Sequence, residues 1–555
     1  MTTTGRPVGG MTVHAAGAGA VGVGGDVYAP ITTNIFGADG PPFTVESLPD
    51  EAPPELADLV ALREQPSKLL NTRRRVIPFA GRRGELACLA RWRDEGPRRA
   101  AWLVHAPGGQ GKTRLAVRAA EEAAAHGWTV GWARHRADTP LGGRPLRDLP
   151  PDGLPLGGQP LGEVPMGRAP GGQAPAWTGA AWTGAAGTGA AGTGAAGTGG
   201  VGLLVVVDYA ERWPPQDLQA LLAWVAGRRG RLRVLLLGRS LAGWGAADAV
   251  CEELGIVAER PLALEPVAIG EDGRRELFEA ACRRFAQVYG VRAPEPVRLP
   301  GGAEDLAYGS VLTVHMAALA VVDAHARGDR PPERAGELSR WLLHRERRYW
   351  GVLHGEKRAL GMARAAFVAA VTGALPSRDG VGLLDRVGLP GASGMTAQQI
   401  VDGHSRCYPA AVAGMVLEPF TPDRLAEDFI GLCLPGDQPE SLADPWCADV
   451  LAGLFEEAPR YTGRGLIVLA AAAVGRPHVV EALRQLLRGD PGLAVAGGGA
   501  ALLAVTPLAD VGLAREISGR VLAAGMRLDP SVAVHACGIH QLATLVRKRG
   551  CDRSG

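Results

Sequence analysis

One glycine-rich segment constrains the fold of this 555-residue chain more than any other feature. A short apolar run at residues 101–104 precedes Ala-Pro-Gly-Gly-Gln-Gly-Lys-Thr at 106–113. An apolar run of this length suits a buried parallel strand. The stretch that follows, to about His126, has apolar residues at helical spacing. The segment therefore predicts a strand, a glycine loop and a helix in direct succession.

This order and spacing are those of a P-loop, with Ala106 where glycine is more common. Glycines in the loop let backbone N–H groups approach phosphate oxygens without Cβ clashes, and the helix N-terminus adds partial positive charge. Lys112 is expected to reach the β- and γ-phosphates, and the Thr113 hydroxyl to ligate Mg²⁺. The predicted nucleotide-binding residues of the loop are Pro107, Gly108, Gly109, Gln110, Gly111, Lys112 and Thr113.

Two further apolar runs end in charged residues. Residues 202–207 precede Asp208, and Glu211 follows three positions later. A buried strand that carries a carboxylate at its C-terminal end suits a Mg²⁺ site, so we predict that Asp208 binds the metal and that Glu211 orients the attacking water. The run at 231–240 places Arg239 where it could sense the γ-phosphate. The alternatives are a strand-end turn residue for Asp208 and a surface turn arginine for Arg239.

The rest of the pattern predicts an α/β P-loop NTPase, a parallel sheet flanked by helices, followed by a mostly α-helical C-terminal region. Residues 128–134 and 255–264 supply further strands, and 214–227 an amphipathic helix. The predicted segments are a Gly-rich N-terminal segment (1–45), a connector (46–76), the NTPase domain (77–265) with a disordered insertion (137–200) that contains three copies of AAGTG, a helical lid (266–340), a winged-helix-like or mixed helical region (341–436), and a helical repeat-like sensor region (437–555).

Composition limits the function classes. The 59 basic and 57 acidic residues give a net charge of +2, which argues against a broadly cationic nucleic-acid binder. No signal peptide and no bilayer-length apolar run occur in the sequence. The eight cysteines are scattered and form no CxxC pair. We therefore expect a cytoplasmic protein with no membrane partner.

The motifs together resemble the STAND class of signal-transduction ATPases, AAA+-related relatives of NACHT and NB-ARC modules, of the actinobacterial type. Phe79, Gly81 and Arg82 are similar to the F-x-G-R segment that borders the adenine pocket in that class. Asp208 matches its Walker B aspartate, Glu211 resembles the acidic residue three positions on in NACHT-type motifs, and Arg239 resembles the sensor-1 arginine. The resemblance covers roughly residues 76–345, and residues 417–428 resemble a region that follows such modules.

This resemblance implies a switch that binds ATP or ADP with Mg²⁺. ADP would hold a closed monomer, and ATP would permit self-assembly into a homo-oligomer. The C-terminal helices would bind an unknown protein effector or ligand. No second acid follows Asp208 directly, so we expect slow hydrolysis.

Two other functions compete with the switch. One is a DNA-associated AAA+-type ATPase or transcriptional regulator with a winged helix in 341–436. Its only candidate recognition helix is His-Arg-Glu-Arg-Arg-Tyr-Trp (344–350), a segment better explained as a solvated helix face or an interdomain contact. The other is a small-molecule kinase, against which the long helical C-terminal region argues.

Overall fold

The computed structural model describes residues 41–47, 55–135 and 201–524, apart from short gaps inside the last two ranges. Most of the predicted N-terminal segment, the predicted insertion and the end of the predicted sensor region lie outside the described residues.

A seven-stranded sheet organises the part of the chain before residue 265. Its strands are β1 (Phe43–Ser47), β2 (Arg99–His105), β3 (Trp128–His135), β4 (Gly202–Val207), β5 (Leu232–Gly238), β6 (Val257–Ala258) and β7 (Leu262–Ala263). The order is β1-β3-β4-β5-β2-β6, and β7 also pairs with β2. Every pair is parallel except β1 with β3. The single strand predicted at 255–264 is two short strands, because Pro261 between them has no N–H for the ladder.

Helices cover both faces of this sheet. The first six helices of the chain are α1 (Leu56–Val60), α2 (Pro66–Leu70), α3 (Arg83–Glu95), α4 (Lys112–Ala125), α5 (Pro215–Ala226) and α6 (Trp244–Glu253), of which the last four pack on the sheet. Helices α3 and α4 bury Leu89 and Leu115 against one face, while α5 and α6 bury Leu222 and Cys251 against the other. All six residues of β4 are buried. The arrangement confirms the predicted α/β P-loop fold.

Strand β1 corrects one predicted boundary. It runs across the boundary placed between residues 45 and 46, and Phe43 and Val45 are buried in the sheet core. The Phe43 ring also contacts Trp213 and Trp224, with centroids 6.4 and 5.9 Å apart. The end of the predicted Gly-rich segment and the start of the predicted connector therefore form one strand, because its alternate apolar residues complete the core under α5.

The remainder of the described chain is helical, as predicted. Its helices are α7 (Glu271–Tyr289), α8 (Val311–Arg327), α9 (Leu338–His354), α10 (Glu356–Thr372), α11 (Ser377–Arg386), α12 (Leu389–Ser393), α13 (Ala397–Cys407), α14 (Asp423–Cys433), α15 (Pro445–Leu454), α16 (Thr462–Ala472), α17 (Pro477–Gly489), α18 (Gly492–Ala496), α19 (Gly498–Val505) and α20 (Val511–Ala524). Two short antiparallel strands, β8 (Leu375–Pro376) and β9 (Met415–Val416), pair beside α11.

One continuous apolar core unites these helices and extends from Leu59 to Val521. It includes Leu59 of α1 and Leu69 of α2, so the predicted connector is packed against the helical region. The core does not divide at residue 340 or 436, and those boundaries stay predictions. Among the described helices, none has both the length and the hydrophobicity to cross a membrane.

Candidate functional site

Three strand ends meet at the carboxyl edge of the sheet. The glycine loop joins β2 to α4, Asp208 follows β4, and Arg239 follows β5. Strand β5 lies between β2 and β4, so Arg239 is placed between the loop and Asp208. The carboxyl edge of a parallel sheet is where such folds bind ligands.

The backbone of the loop has the conformation that its glycines allow. Gly109 and Gly111 both have φ of +85°, a left-handed conformation that other residues adopt rarely. A Cβ at Gly109 would lie 2.6 Å from Ser310 Oγ, whereas one at Gly108 would meet nothing closer than Arg239 at 3.9 Å. The loop is therefore shaped by local geometry and by the helical region that touches it.

The Lys112 side chain is buried within this loop. Its Nζ donates hydrogen bonds to the carbonyl oxygens of Ala106 at 2.6 Å and Pro107 at 3.1 Å. Burial, together with the nearby Arg239 charge, lowers the pKa of Lys112 to about 8, although Asp208 and Glu211 partly oppose this. The charged form of Lys112 is therefore disfavoured mainly because its amine is withdrawn from water.

Thr113 and Asp208, the two predicted Mg²⁺ ligands, lie in contact at this edge of the sheet. The Thr113 hydroxyl donates to Asp208 Oδ2 at 2.9 Å, across 95 residues of sequence. Burial raises the pKa of the Asp208 carboxyl, despite the hydrogen bond from Thr113 and the charge of Lys112. A hydroxyl and a carboxylate in this arrangement can share one hard cation.

Glu211 lies in a 3-10 helix (Ala210–Arg212) directly after β4. Both of its carboxylate oxygens are buried and have no hydrogen-bond partner among the described residues. Its Oε2 would lie 3.5 Å from a Cβ at Gly238, which places the carboxylate beside the end of β5. A buried carboxylate without a partner is energetically costly and is open to a water or a ligand group.

Arg239 joins the loop to the helical region. Its guanidinium forms ion pairs with Glu427 at 2.5 Å and Asp423 at 3.5 Å, both on α14. Burial would lower the pKa of Arg239, but the Glu427 and Asp423 carboxylates outweigh it and raise the pKa above its usual value. Arg239 is therefore not a surface turn residue.

Arg212 and Asp423 complete this cluster, and the sequence analysis assigned no role to either. Arg212 donates to Asp423 Oδ2 at 2.8 Å and stacks on the Tyr209 ring at 3.8 Å. Burial alone would raise the pKa of Asp423, but the two arginines hold it well below its usual range. The available signal was the segment 417–428, since Asp423 and Glu427 lie within it.

The F-x-G-R segment also reaches the loop. The Arg82 guanidinium donates to the Glu265 carbonyl at 2.8 Å and contacts Gln110 at 3.4 Å. Gln110 in turn donates to the Gly309 carbonyl at 2.9 Å, just before α8. Phe79 packs on the core between α4 and the sheet. Gly81, with φ of +76°, provides the turn between Phe79 and Arg82.

The basic segment at 344–350 is only partly packed into the helical region. Arg345 forms ion pairs with Asp323 at 2.7 Å and Asp329 at 2.5 Å, and Glu346 and Trp350 are buried. The other two arginines, Arg347 and Arg348, are exposed. One face of this stretch of α9 therefore stabilises the helical core, and the other presents two arginines at the surface.

No protein-family model matches this chain, and no curated protein matches it. Among solved structures it is similar to the Aeropyrum pernix ORC2 protein, determined as ADPNP–ADP complexes. The two are 15% identical, the alignment covers 69% of this chain and 98% of ORC2, and the TM-score is 0.28. A similarity this low carries no argument about function, which depends on the geometry of the site.

Proposed function

We propose that this protein is an ATP-binding switch in signal transduction, whose nucleotide state controls self-assembly or partner recruitment. The observation that carries the proposal is the position of Arg239. It lies beside the phosphate-binding loop and is ion-paired with two carboxylates on a helix of the C-terminal region. One side chain thus connects the two parts of the molecule.

The loop supports nucleotide binding directly. Phosphate oxygens would replace the Ala106 and Pro107 carbonyls as acceptors for Lys112. Their negative charge would offset the burial that disfavours the charged lysine. Arg82 contacts Gln110, which donates to the Gly309 carbonyl, so the nucleoside end would be held on this side of the loop by the segment that contains Phe79, Gly81 and Arg82.

The donor set fits a magnesium nucleotide. Mg²⁺ is usually held by one or two protein oxygens together with phosphates and water. Thr113 and Asp208 supply such oxygens, 2.9 Å apart. Bound Mg²⁺ would neutralise developing charge on the phosphates. Glu211, with both oxygens unpartnered among the described residues, is placed to orient a water for slow hydrolysis.

The switch would work by competition for Arg239. The γ-phosphate of ATP and the carboxylates of α14 are alternative anionic partners for one guanidinium, and ADP offers no γ-phosphate. A ligand shifts an equilibrium only through its different affinity for the two states. Binding of ATP would therefore weaken the contact of α14 and favour a more open arrangement, which exposes surfaces for homo-oligomers or for an effector at the C-terminal helices.

The test combines nucleotide binding with light scattering, for the wild type and Lys112→Ala, with ADP and with a non-hydrolysable ATP analogue plus Mg²⁺. The wild type should bind both nucleotides and gain mass only with the ATP analogue. Lys357→Ala, which removes an exposed lysine on α10, is the matched control and should behave as wild type. Identical mass in both nucleotides would contradict the switch, and salt-dependent DNA binding would favour the DNA-associated alternative.

A further inference from the structure

We propose that His315, on α8, recognises the exocyclic amino group of an adenine base and so selects adenine over guanine nucleotides. The inference rests on the proposed nucleotide site and deepens it. It assigns a side chain to base recognition that lies outside the P-loop, the F-x-G-R segment and the strand ends.

The phosphates fix the direction in which a nucleotide must extend. Asp208 and Arg239 follow β4 and β5, on one side of β2. Strands β6 and β7 lie on its other side, and there Arg82 bridges Gln110 to the Glu265 carbonyl. With the γ-phosphate toward Arg239, the nucleoside extends toward Arg82 and the start of α8.

Helix α8 begins on the loop itself. The Leu312 N–H donates to the Gly109 carbonyl at 3.0 Å, and the Ser310 hydroxyl donates to the same carbonyl at 3.3 Å. A methyl group of Val311 lies 4.0 Å from the position of a Cβ at Gly111. His315 is one helical turn after Val311, so both side chains lie on the face of α8 that points to the loop.

The imidazole of His315 has an unmet hydrogen bond. Its Nε2 is buried and has no partner among the described residues. Burial, with a contribution from the Arg114 charge, lowers the pKa of His315 to about 3, so the ring is neutral at physiological pH. The Arg114 guanidinium itself donates to the Ile77 carbonyl at 3.0 Å. A buried nitrogen without a hydrogen-bond partner is destabilising, and a ligand that supplies this partner therefore gains affinity.

Adenine offers the complementary group. The proposal assigns to His315 the neutral tautomer with its proton on Nδ1, which presents a lone pair at Nε2. The N6 amino group of adenine is a donor, while guanine has the O6 carbonyl, an acceptor, at the corresponding position. A lone pair facing O6 would be repelled and left unpaired, so guanine is disfavoured on both counts.

The chain contains a matched control residue. His404, on α13, is also buried, and both of its ring nitrogens lack a partner among the described residues. Its ring lies against Tyr408, with centroids 5.1 Å apart, and its pKa is likewise lowered to about 3 by burial. Replacing His404 removes the same kind of side chain from a different part of the helical core.

The experiment measures dissociation constants of full-length wild type, His315→Ala and His404→Ala for ATP, GTP and purine riboside triphosphate, which lacks the amino group. Wild type should prefer ATP over the amine-less nucleotide by about tenfold. In His315→Ala this preference should disappear and the preference for ATP over GTP should shrink, whereas His404→Ala should keep both.

The outcomes separate the inference from the function on which it rests. If wild type binds ATP and His315→Ala keeps the full preference for the amino group, the role of His315 is wrong and the nucleotide site stands. If wild type binds none of the three nucleotides, the proposed function itself fails. Thermal unfolding without nucleotide checks that each variant is folded, and His315→Gln offers a second variant of polar character.

Discussion

Arg212 and Asp423 are 211 residues apart in sequence, and Arg212 Nη2 lies 2.8 Å from Asp423 Oδ2. The Arg239 guanidinium also donates a hydrogen bond to Asp423 Oδ2, at 3.5 Å. A single carboxylate at the start of α14 therefore contacts two arginines that follow neighbouring strands of the sheet, and it directly links the proposed nucleotide site to the helical region.

Removing the charge of Asp423 should destabilise the contact between the two parts. In Asp423→Asn, two partly buried arginines lose a carboxylate, and we expect a loss of about 3 kcal/mol, seen as a lower Tm. Asp379→Asn is the control, because its ion pair with Arg460 is more than half exposed, at 53% and 58%, and should change stability by less than about 0.5 kcal/mol. Equal effects in the two variants would contradict the importance of Asp423.

The same carboxylate should make this contact acid-sensitive. The arginines hold the folded-state pKa of Asp423 below its unfolded value, so its stabilising contribution is complete above about pH 5 and is lost as the pH falls toward the folded pKa. In acid titrations followed by unfolding, wild type should lose this contribution below about pH 4, and Asp423→Asn should lose less over the same range. A constant difference between the two proteins across this range would argue against the linkage.

Nucleotide binding should be accompanied by proton uptake at alkaline pH. The Lys112 pKa of about 8 in the free site leaves the amine mostly neutral at about pH 9, and phosphate would raise its pKa toward the ordinary value near 10.4. Calorimetry in buffers of different ionisation enthalpy should give uptake approaching one proton at about pH 9 and little from this group at about pH 7. Lys112→Arg, which stays charged, should remove the difference between the two conditions.

Asp208→Asn should reduce the Mg²⁺-dependent part of nucleotide affinity without reducing the metal-independent part. Nucleotide affinity in the presence of Mg²⁺ should fall by about tenfold or more, since the metal loses its carboxylate, while affinity in EDTA should be retained. Because burial already disfavours the Asp208 charge, the variant should not lower the Tm. Glu211→Gln is the comparison variant and should keep Mg²⁺-dependent affinity while it slows hydrolysis. Equal losses with and without Mg²⁺ would contradict the role of Asp208 in metal binding.

Two adjacent glycines offer a test of the contact between the loop and α8. Gly109→Ala forces a side chain onto a backbone with φ of +85° and against Ser310 and Leu312, which should cost about 1–2 kcal/mol or more. Gly108 has no such conformation, and a Cβ there would meet nothing closer than Arg239 at 3.9 Å, so the Tm of Gly108→Ala should stay close to wild type. A Tm of Gly109→Ala equal to or higher than that of Gly108→Ala would contradict the prediction.

Local patterns were enough to predict the parts of the site that are close in sequence. The strand, loop and helix around Lys112 follow from residue types over 28 positions (100–127), because backbone conformation there depends on nearby glycines and apolar spacing. The runs before Asp208 and Arg239 were equally clear, since strands buried on both faces are almost wholly apolar.

Long-range relationships could not be predicted in this way. The placement of β5 between β2 and β4 depends on which strands pair, and neither run specifies its partner. The alternation in β1 is short and falls at the boundary between the predicted Gly-rich segment and the predicted connector, although Phe43 and Val45 complete the core. The pairing of Arg212 with Asp423 is decided by how the helical core rests on the sheet, which periodicity does not encode.

The ion pairs of Arg239 with Asp423 and Glu427 affect how the sensitivity of the protein to ATP can change in evolution. Under the proposed function, whatever free energy Asp423 and Glu427 contribute to the closed arrangement is subtracted from the apparent affinity for ATP. Substitutions on α14 can therefore raise or lower the threshold of the response while every contact to the nucleotide stays the same. Under this proposal, the residues that contact the nucleotide differ from those on α14 that determine the ATP concentration needed for a response, so the two sets can evolve independently.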